Sequence, residues 1–183
     1  MTSFQIRVPR PAIYFILLLC ISLGACSTIE TQSFLHKAHR GVYAFSAEDM
    51  ERMQFYISRE VLAHRITADG QTTADDVIVI PIKTRGKVLE AGPNWLRVSF
   101  NEGGTGSIFL ASGKGEDSLY KFATETENGQ LRRLEELPDQ ILLHEGNRYK
   151  IIHGVNAYLL IGQKDLKEIV AERSHLTGAK KKK

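Results

Sequence analysis

The chain has 183 residues, 43% hydrophobic and 25% charged, which is enough for one domain with a substantial core. Its formal charge of +3 comes from the ends: without Arg7, Arg10 and Lys180–Lys183 the rest carries −3, and the clustered basic face that nucleic acid needs is not visible in it, which argues against nucleic acid. The only cysteines are Cys20 and Cys26, so nothing after residue 26 can supply a disulfide, a catalytic thiol or a thiolate metal ligand.

Arg7 and Arg10 form a basic opening, and Ala12 to Leu23 form an apolar run. That run is shorter than the ~20 residues of a membrane-spanning helix and suits the core of a signal peptide. It ends in Leu23-Gly24-Ala25-Cys26: a large aliphatic, two small residues, then Cys. This tetrapeptide resembles the lipobox of bacterial lipoproteins. The resemblance implies a diacylglyceryl group on the Cys26 thiol, removal of residues 1–25 and acylation of the new amine, leaving 158 residues anchored to the membrane. Two or three chains anchor durably, because each buried CH₂ contributes ~0.8 kcal/mol and a single chain is marginal. An uncleaved anchor, or a secretory signal with a chance Cys, is the competing reading.

Residues 26–45 are expected to be the lipidated Cys and a tether, since Ser27 to about Arg40 is polar and lacks sustained periodicity. A single domain is expected over 46–176. Ser46 with Asp49 three residues on forms a capping box that opens a helix from Ala47 to about Gln54, with Met50 and Met53 on its core face.

Strand-like runs follow at Phe55–Ile57, Val61–Ile66, Val77–Ile82, Lys87–Ala91, Trp95–Phe100, Ser107–Ala111, Leu119–Glu125, Gln140–His144, Arg148–His153 and Ala157–Ile161. Asp69-Gly70, Asn128-Gly129 and Gly146-Asn147 supply tight hairpin turns, and His153-Gly154-Val155-Asn156 is a fourth candidate. Leu96, Val98 and Phe100 alternate with Arg97 and Ser99, so one face of that strand is buried. Val77-Ile78-Val79-Ile80 does not alternate in sequence and is expected to lie centrally, covered on both faces. Leu166, Ile169 and Val170 mark a C-terminal helix from Lys164 to about Ser174, covering an open end or edge of the sheet. Residues 177–183 are expected to be a disordered basic tail.

The predicted fold is mainly β: a small bent sheet or an SH3-like barrel, with a short N-terminal helix and a C-terminal covering helix. Val79 to Val88, with its Thr84-Arg85-Gly86 turn, followed by Leu96 to Phe100, resembles part of an SH3-like barrel, in which the next two strands form a hairpin. Ser46 to Arg65, with Met53-Gln54-Phe55-Tyr56-Ile57-Ser58, is similar to segments of uncharacterised envelope lipoproteins of Bacteroidetes-type bacteria. That resemblance implies a location and no activity. Surface-exposed lipoproteins of such bacteria tend to carry an acidic run after the Cys. Ser27-Thr28-Ile29-Glu30 has one acid, which points to the periplasmic side of the outer membrane.

No catalytic constellation emerges. Gly104-Thr105-Gly106-Ser107 precedes strand-like residues rather than the helix of a nucleophile elbow, and reads as a hairpin loop. Gly113-Lys114-Gly115 lacks the first glycine and the Ser or Thr of a phosphate loop. His36 and His39 have helix-compatible spacing without a third ligand nearby; His64, His144 and His153 would need the fold to assemble them. Asp75-Asp76, Glu116-Asp117, Glu125 with Glu127, and Glu135-Glu136 sit at turns and read as solvated charge.

The aromatics read mainly as core, but Trp95, beside the Gly92-Pro93-Asn94 turn, is a candidate binding residue together with Gly103, Gly104 and Gly106. The expected function is therefore a non-enzymatic interaction or assembly module of the cell envelope. It would be held to the membrane by acyl chains on Cys26 and pair with an envelope protein partner, without cofactor, metal or nucleic acid. The alternative is a periplasmic small-ligand or cell-wall glycan binder, and a hydrolase built from His64, His144 or His153 with a carboxylate ranks third.

Overall fold

The structure, a computed structural model, describes residues 31–180, excluding the side chains of 74, 116, 117 and 174–180; the expected signal segment and Cys26 lie outside this range. The fold is mainly β, in two antiparallel sheets. The larger sheet has eight strands in the order β1 (Gln32–Phe34), β12 (Leu159–Gly162), β2 (Phe55–Ile57), β5 (Arg85–Ala91), β6 (Trp95–Ser99), β7 (Ser107–Leu110), β8 (Lys121–Glu125) and β9 (Leu131–Arg133). The smaller has four, ordered β10 (Ile141–His144), β11 (Asn147–His153), β3 (Val61–Ile66) and β4 (Thr72–Ile80). Among the described residues three α-helices accompany them: α1 (Lys37–Val42), α2 (Ala47–Arg52) and α3 (Gln163–Lys180). Among the described residues no helix is long and apolar enough to cross a membrane.

The pleat explains the core. Directly opposed residues of antiparallel strands share a face. Leu96 opposes Phe109, and Phe109 opposes Phe122, so one row crosses β6, β7 and β8. All three are fully buried, with the Phe109 and Phe122 ring centroids 4.4 Å apart. Ala63, Leu142, Tyr149 and Ile151 from the smaller sheet join the same apolar cluster.

No barrel closes. The large sheet bends until β8 approaches β12, but the two meet at a single bridge between Lys121 and Tyr158, supported by the Leu159 N–H donating to the Tyr120 carbonyl at 2.9 Å. The segment that resembles an SH3-like barrel does form the β5–β6 hairpin, turning through Gly92-Pro93-Asn94. Its preceding strand, β4, belongs to the other sheet, and this division leaves the barrel open.

Three local expectations also change. Residues 32–42 are not a loose tether: β1 pairs with β12, α1 follows, and Leu35 is fully buried. A three-residue edge strand and a six-residue helix are too short to display a period in sequence. β4 is an edge strand rather than a central one, and Val79 is 53% exposed. Its Ile80 faces the core while Val77 and Val79 face outward, so the uniform apolar run conceals a half-exposed strand. The last helix runs on to Lys180, past the expected end near Ser174 and into the expected tail.

The capping box at α2 forms as read: the Ser46 hydroxyl accepts from the Asp49 N–H at 3.2 Å, and Asp49 Oδ2 accepts from the Ser46 N–H at 2.6 Å. Met50 and Met53 are buried. α3 docks here through polar contacts. Asp165 Oδ2 accepts from the Gln54 N–H at 2.7 Å, Arg52 pairs with Glu172 at 3.2 Å, and Arg173 pairs with Asp49. Ile169 supplies the buried apolar contact of α3.

Candidate functional site

The residues picked from sequence do not converge. Trp95 opens β6, its indole lying over Gly92 so closely that a Cβ there would sit 2.0 Å from Nε1. Gly103, Gly104 and Gly106 belong to the loop at the other end of β6, about 13 Å away at ~3.3 Å per residue. A hollow of about 630 Å³ does lie beside this loop, lined by Arg85, Lys87, Leu89, Phe100, Gly103 and Gly104, and Trp95 has no part in it. Gly106 is buried at φ +73°, where a Cβ would come within 2.9 Å of the Val98 carbonyl. It holds the β6–β7 connection close and faces no ligand space.

Ser107, His144 and Glu145 do come together. Ser107 Oγ lies 3.5 Å from His144 Nδ1, and His144 Nε2 lies 3.8 Å from Glu145 Oε1. Burial pushes the His144 imidazole below its ordinary value, and Glu145 offsets this in part. With Ser107 1% and His144 5% exposed, no substrate reaches the pair. It is an internal polar contact, and the ring of Tyr149 packs edge-on against His144.

The other histidines are dispersed. His64 opposes Val77 and Lys150 on the outer face of the smaller sheet, away from His144. The His36 and His39 rings stand edge-to-face, with His39 Nδ1 accepting the His36 N–H at 3.4 Å and His36 Nδ1 sharing a hydrogen bond with Ser118 Oγ at 2.7 Å. The bond to His39 belongs to a capping box at the start of α1, and the bond to Ser118 ties that start to a distant part of the chain. Among the described residues no group of three or more His, Cys, Asp or Glu is placed to hold a metal.

A more developed site lies where β1 meets β12. Phe34 and Tyr158 place their ring centroids 5.7 Å apart on the wall of a cleft of about 410 Å³, which Arg59, Asn156 and Lys121 also line. A second hollow of about 530 Å³ has Gln140, Glu135 and residues 151–156 on its walls, and it shares Arg59 and Asn156 with the first. The shared pair, with Arg59 Nη1 donating to Asn156 Oδ1 at 3.0 Å, joins the hollows into one groove.

The loops that carry this pair are fixed. The Ser58 N–H donates to the Tyr158 carbonyl and the Tyr158 N–H donates to Ser58 Oγ, both at 3.0 Å. Gly154, at φ +84°, lies against the Glu60 carbonyl, where a Cβ would come within 2.2 Å. Charge is uneven along the groove. Lys121 Nζ binds both carboxylate oxygens of Glu135 at 2.9 and 3.0 Å, and Arg133 reaches the same carboxylate at 3.5 Å. Arg59 has only a neutral amide as its hydrogen-bond partner among the described residues. Sequence reading missed this site because Phe34 lies in the presumed tether and Asn156 is 97 residues from Arg59.

The fold and its grooves define a class no narrower than a mainly β, two-sheet domain with a preformed surface groove. Comparison with known proteins returns no match: no family model, no curated protein and no solved structure corresponds to the chain.

Proposed function

We propose that this protein is a lipid-anchored, non-enzymatic binding module of the bacterial cell envelope, held by acyl chains on Cys26 at the periplasmic face of the outer membrane. The observation that carries the reading is the Leu23-Gly24-Ala25-Cys26 tetrapeptide placed directly ahead of a folded β domain. Supporting it, β1 begins at Gln32, six residues after Cys26. Six residues reach no more than about 20 Å when fully extended. An anchored domain would therefore work within a thin layer at the bilayer, where confinement raises its effective concentration for envelope protein partners.

Replacing Cys26 by Ser tests the anchor directly. The parent chain should label with a radioactive fatty acid and sediment with membranes, whereas Cys26→Ser should do neither. Unlabelled parent protein, or a variant that stays with the membrane, overturns the anchoring.

A second reading, a ligand or glycan binder, is favoured by one observation: the groove joined by Arg59 and Asn156 already has fixed walls in the free protein. A preformed cleft costs less ordering on binding than one that must assemble. This reading moves the binding surface from Trp95 to Phe34 and Tyr158.

A further inference from the structure

We infer that the Phe34–Arg59–Asn156 groove takes an extended saccharide bearing carboxylate groups. This rests on the ligand-binding reading above and is independent of the lipid anchor. Three features point to that chemistry. First, Phe34 is 52% exposed although it lies against Tyr158, so an aromatic surface is held open to solvent beside a polar cleft. Aromatic faces set among amide and guanidinium donors suit a sugar ring, which has an apolar C–H face and a hydroxylated rim. Asn156 and Gln140 supply such amides, one at the junction and one in the second hollow.

Second, two hollows share a wall, so a ligand that fills both must be elongated. A chain of several sugar rings meets that requirement, with one ring on the Phe34 side and the next beyond Asn156. Third, the charge at the junction is unspent. Glu135, on the wall of the second hollow, neutralises Lys121 and also engages Arg133, whereas exposed Arg59 makes no ion pair among the described residues and bonds only the Asn156 amide. A guanidinium is planar and matches a carboxylate with two parallel hydrogen bonds, which sets the class as an acidic rather than a neutral saccharide. An extended peptide fits less well: β1, the edge strand at this cleft, has three residues and offers too little backbone for a ladder.

The test is a calorimetric titration of the full-length chain in detergent with a peptide-free hexasaccharide of alternating N-acetylglucosamine and N-acetylmuramic acid. Neutral chitohexaose and an acidic extended peptide serve as comparisons. The acidic hexasaccharide should bind saturably, and at least about tenfold more tightly than chitohexaose. Phe34→Ala and Arg59→Gln should each weaken it about tenfold, with Trp95→Phe unchanged. Both substituted residues are exposed, so the variants should melt with the parent, and broadening of the Phe34 and Tyr158 ring resonances during titration of the parent gives a readout that needs no variant. Equal affinity for chitohexaose, absent binding, or preference for the peptide overturns the inference. Failure here leaves the fatty-acid labelling of Cys26 untouched, so the two conclusions fall separately.

Discussion

Arg173 of the last helix pairs with Asp49 in the first turn of α2, 124 residues earlier in the chain. The same carboxylate caps α2 by accepting from Ser46. Burial alone would push Asp49 up; the hydrogen bonds from Ser46 and the Arg173 guanidinium outweigh that and hold it below the usual carboxylate value. One side chain thus fastens α3 and starts α2.

Asp49→Ala should cost about 1–3 kcal/mol, combining a lost cap with a lost charged hydrogen bond. The pH dependence has a definite sign. Because the folded-state value is depressed, the contribution is complete above the unfolded value near 3.8 and is lost as pH falls through the folded value. Denaturant melts of parent and Asp49→Asn should differ at neutral pH and converge in strong acid; a constant gap would contradict this assignment.

His144 acts in a higher window. Burial favours its neutral form, so the folded-state value lies below the ordinary 6.5. Stability is unaffected above the unfolded value and declines as pH falls below it, because the unfolded chain takes up the proton first. His39, also lowered by burial and by His36, adds to the same decline. Melting temperature should fall on acidification from pH about 7 to about 5, and His144→Gln should flatten that slope.

The row Leu96–Phe109–Phe122 makes the next expectation quantitative. Phe109 is fully buried between two strands, and truncation removes its apolar area and leaves a cavity. Phe109→Ala should therefore destabilise by about 3–5 kcal/mol. A loss below about 1 kcal/mol in urea denaturation would show that the row is not packed as described.

The start of the domain can be tested by truncation. A chain beginning at Ser46 lacks β1 and the buried Leu35, so it uncovers one edge of β12. It should melt well below the parent, and Leu35→Ala alone should cost about 2–5 kcal/mol. An unchanged melting temperature would restore residues 31–45 to the status of a tether.

The edge position of β4 gives an opposite expectation. Val79 is 53% exposed, so Val79→Thr should shift stability by no more than about 0.5 kcal/mol, whereas a strand covered on both faces would lose several times that. Urea denaturation separates the two.

What the sequence discloses depends on how local the cause is. Ser46 and Asp49 cap a helix within four residues, and the alternation of Leu96 and Val98 with Arg97 lies within one strand, so both were readable. The alternation stops at Ser99, which is buried rather than wet because its hydroxyl turns back to bond the Asn101 backbone, and Phe100 is only half-buried. Sheet membership was not. The run Val77–Ile80 carries no mark of its neighbours, and only the pairing of β3 with both β4 and β11 puts it at an edge. The groove was hidden for the same reason. Phe34, Arg59 and Asn156 meet only because β1 and β2 both pair with β12. The glycine loop was visible as composition, but the length of β6 separates it from Trp95.

The pairing of β1 and β2 with β12 also bears on how the chain is made. Gln32 opposes Gly162 and Phe55 opposes Ile161, so the first strands of the large sheet wait for nearly the last residues of the domain. During synthesis the pairs β2–β5, β3–β4 and β5–β6 can form early, but β1 and the β12 side of β2 emerge with their partner still unmade, and such non-local pairings form slowly. The large sheet is therefore sealed along β12 last, after its middle hairpins have had time to form.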